Sequence, residues 1–295
     1  MTISRENKLV YVHTPKTGGT TMERSALFAD ARAHHQIGGH YDISTMMANA
    51  QARGISDFLR VTHIRHPCSR FVSVFSYLKS DKCNAGDKAW SESHIGNLTI
   101  EEFAEKIRGN EELLDEVHFR PLHQWVFMPG GLFGLDAILC QETWNASIDE
   151  LSARLQIPPP VDLYSSHALQ NSHQSCSQID ENTRSSIEKA YEMDYCIFGY
   201  DQMPGNSCPQ SELTPSYFTD RYARCVKRAQ ATLRIGNNAT KSTTSTIMEN
   251  QPPLGTSVTS PTQESQSSRW TDPRTIEEKG TPPVFLPRIF FDHDG

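Results

Sequence analysis

Apolar positions in this chain gather in short runs, each followed at once by a polar junction marked with glycine or proline and then by residues at helical spacing. Lys8-Leu9-Val10-Tyr11-Val12 reads as a buried strand that empties into His13-Thr14-Pro15-Lys16-Thr17-Gly18-Gly19-Thr20-Thr21. A second strand is predicted over residues 58–64 and delivers Arg65-His66-Pro67 to a helix start. Pro67 suits a first helical turn, and Phe71, Phe75 and Leu78 recur at i, i+4 and i+7 to give that helix one buried stripe. Residues 101–109 predict a helix behind a cap at Thr99. Residues 135–142 read as a core strand ending at Glu142, and a helix follows from Ser147 to about Leu155, stopped by Pro158, Pro159 and Pro160. A last helix is predicted from about Glu181 to Met193. Strands alternating with helices predict an α/β domain with a central, mainly parallel sheet flanked by helices.

That pattern stops near residue 200. Residues 237–288 are dominated by Ser, Thr, Pro, Gln and Asn. Such a segment buries too little apolar surface to offset chain entropy, so a disordered tail is expected over residues 237–295. Between domain and tail, Tyr217, Phe218, Tyr222, Val226 and Leu233 alternate with Arg221, Arg224, Lys227, Arg228 and Arg234. Residues 204–236 therefore suggest a basic amphipathic extension that packs back on the core, binds an acidic partner, or presents a solvated face.

The first junction has the chemistry of an anion cradle. Two glycines let the backbone curl without Cβ clashes, so that amide N–H groups converge, and a helix opening at Thr20 and Thr21 favours negative charge at its start. Lys16 adds a mobile cation, and Thr17, Thr20 and Thr21 add hydroxyls. A nucleotide-triphosphate P-loop needs GxxxxGK, whereas here the lysine precedes the glycine pair by two residues, so Walker A is not matched. Arg65 and Ser73 lie eight residues apart across the second junction, and a guanidinium can grip a phosphate with two parallel hydrogen bonds. Between the junctions, His34, His35 and Gly39-His40 offer imidazoles that titrate near neutrality. A metal site is one reading of them, but no cysteine pair or HExxH helix accompanies them, and a hydrogen-bonded structural histidine is another.

These stretches together resemble the sulfotransferase family, above all its carbohydrate and heparan-sulfate 2-O type. The loop PKTGGTT is similar to the family's 5′-phosphosulfate loop, and the strand followed by Arg65, Pro67, Arg70-Phe71 and Ser73 is similar to its 3′-phosphate element. His66 departs from the aspartate common there. Gly39-His40 resembles the strand-end Gly-His that supplies the family's catalytic base, with His34 or His35 as substitutes if the register shifts and His13 as a supporting residue. The resemblance continues through His118-Phe119-Arg120-Pro121-Leu122-His123-Gln124-Trp125, a segment that often faces acceptor, and Asn171-Ser172, to Asp194-Tyr195-Cys196-Ile197-Phe198-Gly199-Tyr200, which closes the fold. It implies a P-loop-like three-layer catalytic domain over residues 1–203.

It further implies that 3′-phosphoadenosine 5′-phosphosulfate (PAPS) donates a sulfuryl group to a hydroxyl, on a glycan above all, with no metal. In that scheme His40 and Lys16 are catalytic, and residues Lys16, Thr17, Gly18, Gly19, Thr20, Thr21, Arg65 and Ser73 bind the donor. Ser73 would also restrain Lys16 until acceptor arrives. A nucleotide-dependent phosphotransferase and a non-catalytic adenosine-phosphate or glycan-binding module are the alternatives.

Net charge is −7 with a pI near 5.9, which argues against a general nucleic-acid binder. Seven cysteines at 68, 83, 140, 176, 196, 208 and 225 give neither a zinc framework nor an even disulfide set, so reduced thiols in a cytosol are expected. No signal peptide or long apolar span precedes Lys8, which suggests a soluble protein; the alternative is a Golgi enzyme whose anchor is missing from the sequence.

Overall fold

Residues 2–33, 39–48, 50–167, 176–201 and 214–248 are described in the computed structural model. The predicted strands form as β2 (Leu9–Tyr11), β3 (Leu59–Ile64) and β4 (Ala137–Cys140). They pair in parallel, Leu9 opposite Leu59 and Val61 opposite Ala137. A further strand, β1 (Thr2–Ser4), was not expected. It pairs antiparallel with β2 at the sheet edge, giving the order β1-β2-β3-β4. Three residues are too few to show periodicity, so only the pairing reveals it.

Successive strand side chains point to opposite faces. Val10, Val12, Ile64 and Ile138 enter one buried cluster with Phe71, Phe103, Phe119 and Trp125. Leu9, Tyr11, Val61, Ala137 and Leu139 enter the other with Met22, Phe28, Trp144 and Ile148. Covered on both faces, the strands read as continuous apolar runs, and the result is the expected three-layer α/β fold. Asp136 fixes the entry to β4 by accepting hydrogen bonds from the Arg60 backbone N–H and from its guanidinium at Nε and Nη2.

Helix ends follow local chemistry. Thr99 and Glu102 form a reciprocal capping box that starts Ile100–Ile107. Pro67–Leu78 begins with its proline as expected. The last predicted helix breaks at Tyr191 into Glu181–Ala190 and Glu192–Phe198. In the first turn of the second piece the buried Asp194 carboxylate accepts from the backbone N–H groups of Leu122 and His123 and from His123 Nδ1, at 2.6, 2.9 and 2.7 Å. The basic segment forms a helix, Pro215–Met248, that runs past residue 236, and Phe218 and Cys225 bury against the core. Residues 249–295 and Asn171-Ser172 lie outside the described residues. Among the described residues, no helix is long and apolar enough to cross a membrane.

The cysteines correct the sequence reading. Cys68 bonds to Cys176 and Cys196 to Cys225, Cys140 is also disulfide-bonded, and Cys83 is free. Separations of 108 and 29 residues carry no local signature, so only the fold could bring the partners together.

Candidate active site

The loop after β2 is shaped by two left-handed residues, Lys16 at φ 63° and Gly18 at φ 95°. Alternation of this kind turns successive N–H groups to one side. Among the described residues, the backbone N–H groups of residues 16–20 make no hydrogen bond, and the first intrahelical bonds run from Thr21 and Met22 to the Gly18 carbonyl. The helix that follows, Gly19–Arg24, has only six residues. The loop's unpaired amides, more than a helix dipole, are its polar feature.

Both glycines are demanded by their neighbours. A Cβ on Gly18 would stand 2.6 Å from Cζ3 of Trp144, and one on Gly19 would stand 2.0 Å from Cδ2 of His13. Thr17 is buried, and its hydroxyl donates to the Thr14 carbonyl at 2.9 Å, so that side chain holds the loop and only its N–H faces outward chemistry.

The second junction sits against the first. Arg65 Nη1 donates to the Lys16 carbonyl at 3.3 Å, and Arg65 Nε is buried and has no partner among the described residues. Burial lowers the pKa of both Arg65 and Lys16, and the neighbouring guanidinium lowers Lys16 further. Glu142 beside Arg65 and Asp87 beside Lys16 oppose these shifts. Glu142, just past β4, accepts from the His66 backbone N–H and from Tyr200 Oη, and burial raises its pKa. His66 packs edge-on against Tyr195 and Tyr200, a place an ionised aspartate would fit poorly. Burial, then the charges of Arg184 and Arg65, push its pKa down to about 4. Ser73 is buried on the Pro67–Leu78 helix, one turn before Tyr77.

His40 lies in a loop and not at a strand end as its motif suggested. Its Nδ1 is 2.7 Å from the His13 carbonyl, which can only accept, so Nδ1 carries the proton and Nε2 keeps a lone pair. Burial and the neighbouring His13 push its pKa down to about 4, leaving the ring neutral at pH 7. His13 in turn faces Glu23 at 3.0 Å and meets the His40 ring edge-on at 4.6 Å. Hydrogen bonding to His13 holds the Glu23 carboxyl below its usual range against the opposing cost of burial. His34 and His35 lie outside the described residues.

Two residues not singled out from sequence, Tyr77 and Asp87, complete the cluster together with His118 and Arg70. Lys16 Nζ stands 4.4 Å from the centre of the Tyr77 ring, and Tyr77 donates to Asp87 at 2.8 Å. Asp87 also faces His118 Nε2 at 3.1 Å, and the His118 ring lies 5.9 Å from that of His40. Buried Arg70 donates to the carbonyls of His118 and Arg120, so it clamps that segment to the helix and is no solvated charge. Tyr77 could have been noticed as the residue one turn beyond Ser73; Asp87 carried no comparable signal.

Loop amides, two cations, an imidazole with a bare nitrogen and its carboxylate-paired neighbours thus meet at the ends of β2 and β3. Among the described residues no group of side chains could hold a metal ion. No curated protein and no solved structure matches the chain. The profile of the sulfotransferase family matches residues 1–201, two thirds of the sequence and all of the elements that carry this cluster. The chain belongs to the sulfotransferase family, whose chemistry is transfer of a sulfuryl group.

Proposed function

We propose that the chain transfers the sulfuryl group of PAPS to a hydroxyl of a carbohydrate. The observation that carries this reading is the hydrogen bond from Arg65 to the Lys16 carbonyl, which joins the two junctions. The donor fits the residues present: N–H groups at 16–20 that make no hydrogen bond among the described residues for its 5′ end, and Arg65, whose Nε has no partner among them, with buried Ser73 for its 3′-phosphate. Thr20 and Thr21 border the same loop.

His40 Nε2 removes the acceptor proton as the hydroxyl oxygen bonds to sulfur. The bond from sulfur to the bridging phosphate oxygen breaks, its electron pair stays on that oxygen, and Lys16 offsets the charge that develops there. Ser73 restrains Lys16 before the acceptor arrives. Little else is asked of the protein, because in-line transfer depends on position and charge. The disulfides favour work in an oxidising compartment over a reducing cytosol.

Incubation with sulfur-labelled donor and a panel of glycans, lipids and small alcohols tests the reading. Labelled glycan is expected, with turnover lost in His40→Ala while 3′-phosphoadenosine 5′-phosphate still binds. Arg65→Ala should lose affinity for that product. No labelled acceptor, with binding intact, would favour the non-catalytic module; unchanged affinity in Arg65→Ala would remove Arg65 from the donor site.

A further inference from the structure

Lys16 is central to this chemistry, yet among the described residues it has no salt-bridge partner. A lysine side chain has four rotatable bonds, and an ammonium free to wander is a poor electrostatic catalyst. What lies beneath it is an aromatic face, the Tyr77 ring 4.4 Å from Nζ. That ring is itself fixed at both ends. Its hydroxyl donates to Asp87, and its edge packs on His118 at 5.5 Å. Asp87 is held in turn by His118 Nε2 and by Asn84 Nδ2 at 2.9 Å. Tyr77 is half-buried on the Pro67–Leu78 helix, the same element that presents Arg70 and Ser73.

We propose that Tyr77 is a positioning residue for Lys16: its ring is a floor that keeps the ammonium beside the loop amides with its N–H groups turned toward the reacting phosphosulfate. A cation seated on a ring uses the face of the charge that points down and leaves the rest available to an anion above. The ring thus limits the ammonium's freedom without competing for its hydrogen bonds. Asp87 orients the floor through the tyrosine hydroxyl, and supplies counter-charge close to Lys16. The sequence pattern gives no hint of this, since Tyr77 and Lys16 are 61 positions apart.

The kinetic part of the inference rests on the sulfuryl-transfer reading; the placement does not. In protein carrying carbon-13 lysine, the Lys16 Cε–H signal, identified by its loss in Lys16→Met, is expected upfield of the other lysines because of the ring current. It should stay there in Tyr77→Phe and return to the ordinary position in Tyr77→Leu. An ordinary position in the wild-type protein would overturn the proposal whatever the enzyme does.

In turnover, Tyr77→Leu is expected to lower kcat about five- to thirtyfold, the range of a cation on an aromatic face, with product affinity changed less than about threefold. Tyr77→Phe keeps the ring and should stay within about threefold of wild type. Added to Lys16→Met, Tyr77→Leu should change the residual rate by less than about twofold, since the group it positions is gone. Losses that multiply in the double variant would overturn the proposal, as would a Tyr77→Phe as impaired as Tyr77→Leu. Circular dichroism and melting curves check that every variant folds. A wild type that sulfates nothing would sink the functional reading while the spectrum still decides the placement.

Discussion

Replacing Gly19 by alanine sets two effects against each other. Gly19 opens the Gly19–Arg24 helix with an ordinary backbone, so helix propensity by itself favours alanine by up to about 1 kcal/mol. The new Cβ would lie 2.0, 2.3 and 2.8 Å from Cδ2, Nε2 and Cγ of His13. Carbon contacts relax near ~3.5 Å, so the ring has to move by about 1.5 Å. It has nowhere easy to go. His13 Nδ1 is tied to Glu23, both side chains are nearly nine-tenths buried, and the far edge of the ring meets His40.

Overpacking of this kind costs about 1–3 kcal/mol, and leaving the Glu23 carboxylate short of a donor costs about 1–3 kcal/mol more. After the propensity gain, a net loss of about 1–6 kcal/mol is expected. Urea unfolding measures it, with Gly54→Ala as the control: there a Cβ meets nothing within 4 Å and only left-handed strain at φ 64° opposes it. His13→Ala removes the obstacle, so in that background Gly19→Ala should become neutral or stabilising. A Gly19→Ala protein with an unchanged or higher urea midpoint would refute the packing argument. A loss undiminished in the His13→Ala background would refute its assignment to His13.

Other expectations follow from burial and covalent links. His66 has its folded pKa depressed to about 4 from an ordinary 6.5, so between those values the unfolded chain binds more protons; stability is fully present above about pH 6.5 and falls as the pH drops through about 4. For His66 this amounts to on the order of 3 kcal/mol at pH 4, and His40 acts in the same direction. Urea midpoints from pH 7 to 4 test it: His66→Asn should flatten the slope, and an unaltered slope would remove His66 as a cause.

Reduction should cost stability, because the Cys68–Cys176 bridge closes a loop of over a hundred residues, worth ~4–5 kcal/mol in the chain-entropy model. Melting with and without dithiothreitol reads this, and coincident curves would contradict it. Asp194→Ala strands two buried N–H groups and an imidazole, and is expected to cost ~3 kcal/mol or more by denaturation; a loss below ~1 kcal/mol would show that these groups find other partners.

What the sequence determined by itself is local. Apolar runs of strand length, Pro67 at a helix start, Thr99 before Glu102 and the glycine pair at 18–19 announce their conformations through φ/ψ limits, capping and side-chain period, all within a few residues. The strand-to-helix junctions at residues 13–21 and 65–67 were legible for the same reason. Other features joined residues far apart along the chain. Pairing alone made a strand of Thr2–Ser4, and proximity alone linked Cys68 to Cys176.

Tertiary structure also decided which groups face the chemistry. It turned the Thr17 hydroxyl inward, put Arg70 to work as a clamp, and set Tyr77 beneath Lys16 with Asp87 and His118 behind it. A side chain's orientation depends on which neighbours the parallel crossover connections bring beside it. Those neighbours sit tens of residues away, beyond the reach of any local pattern.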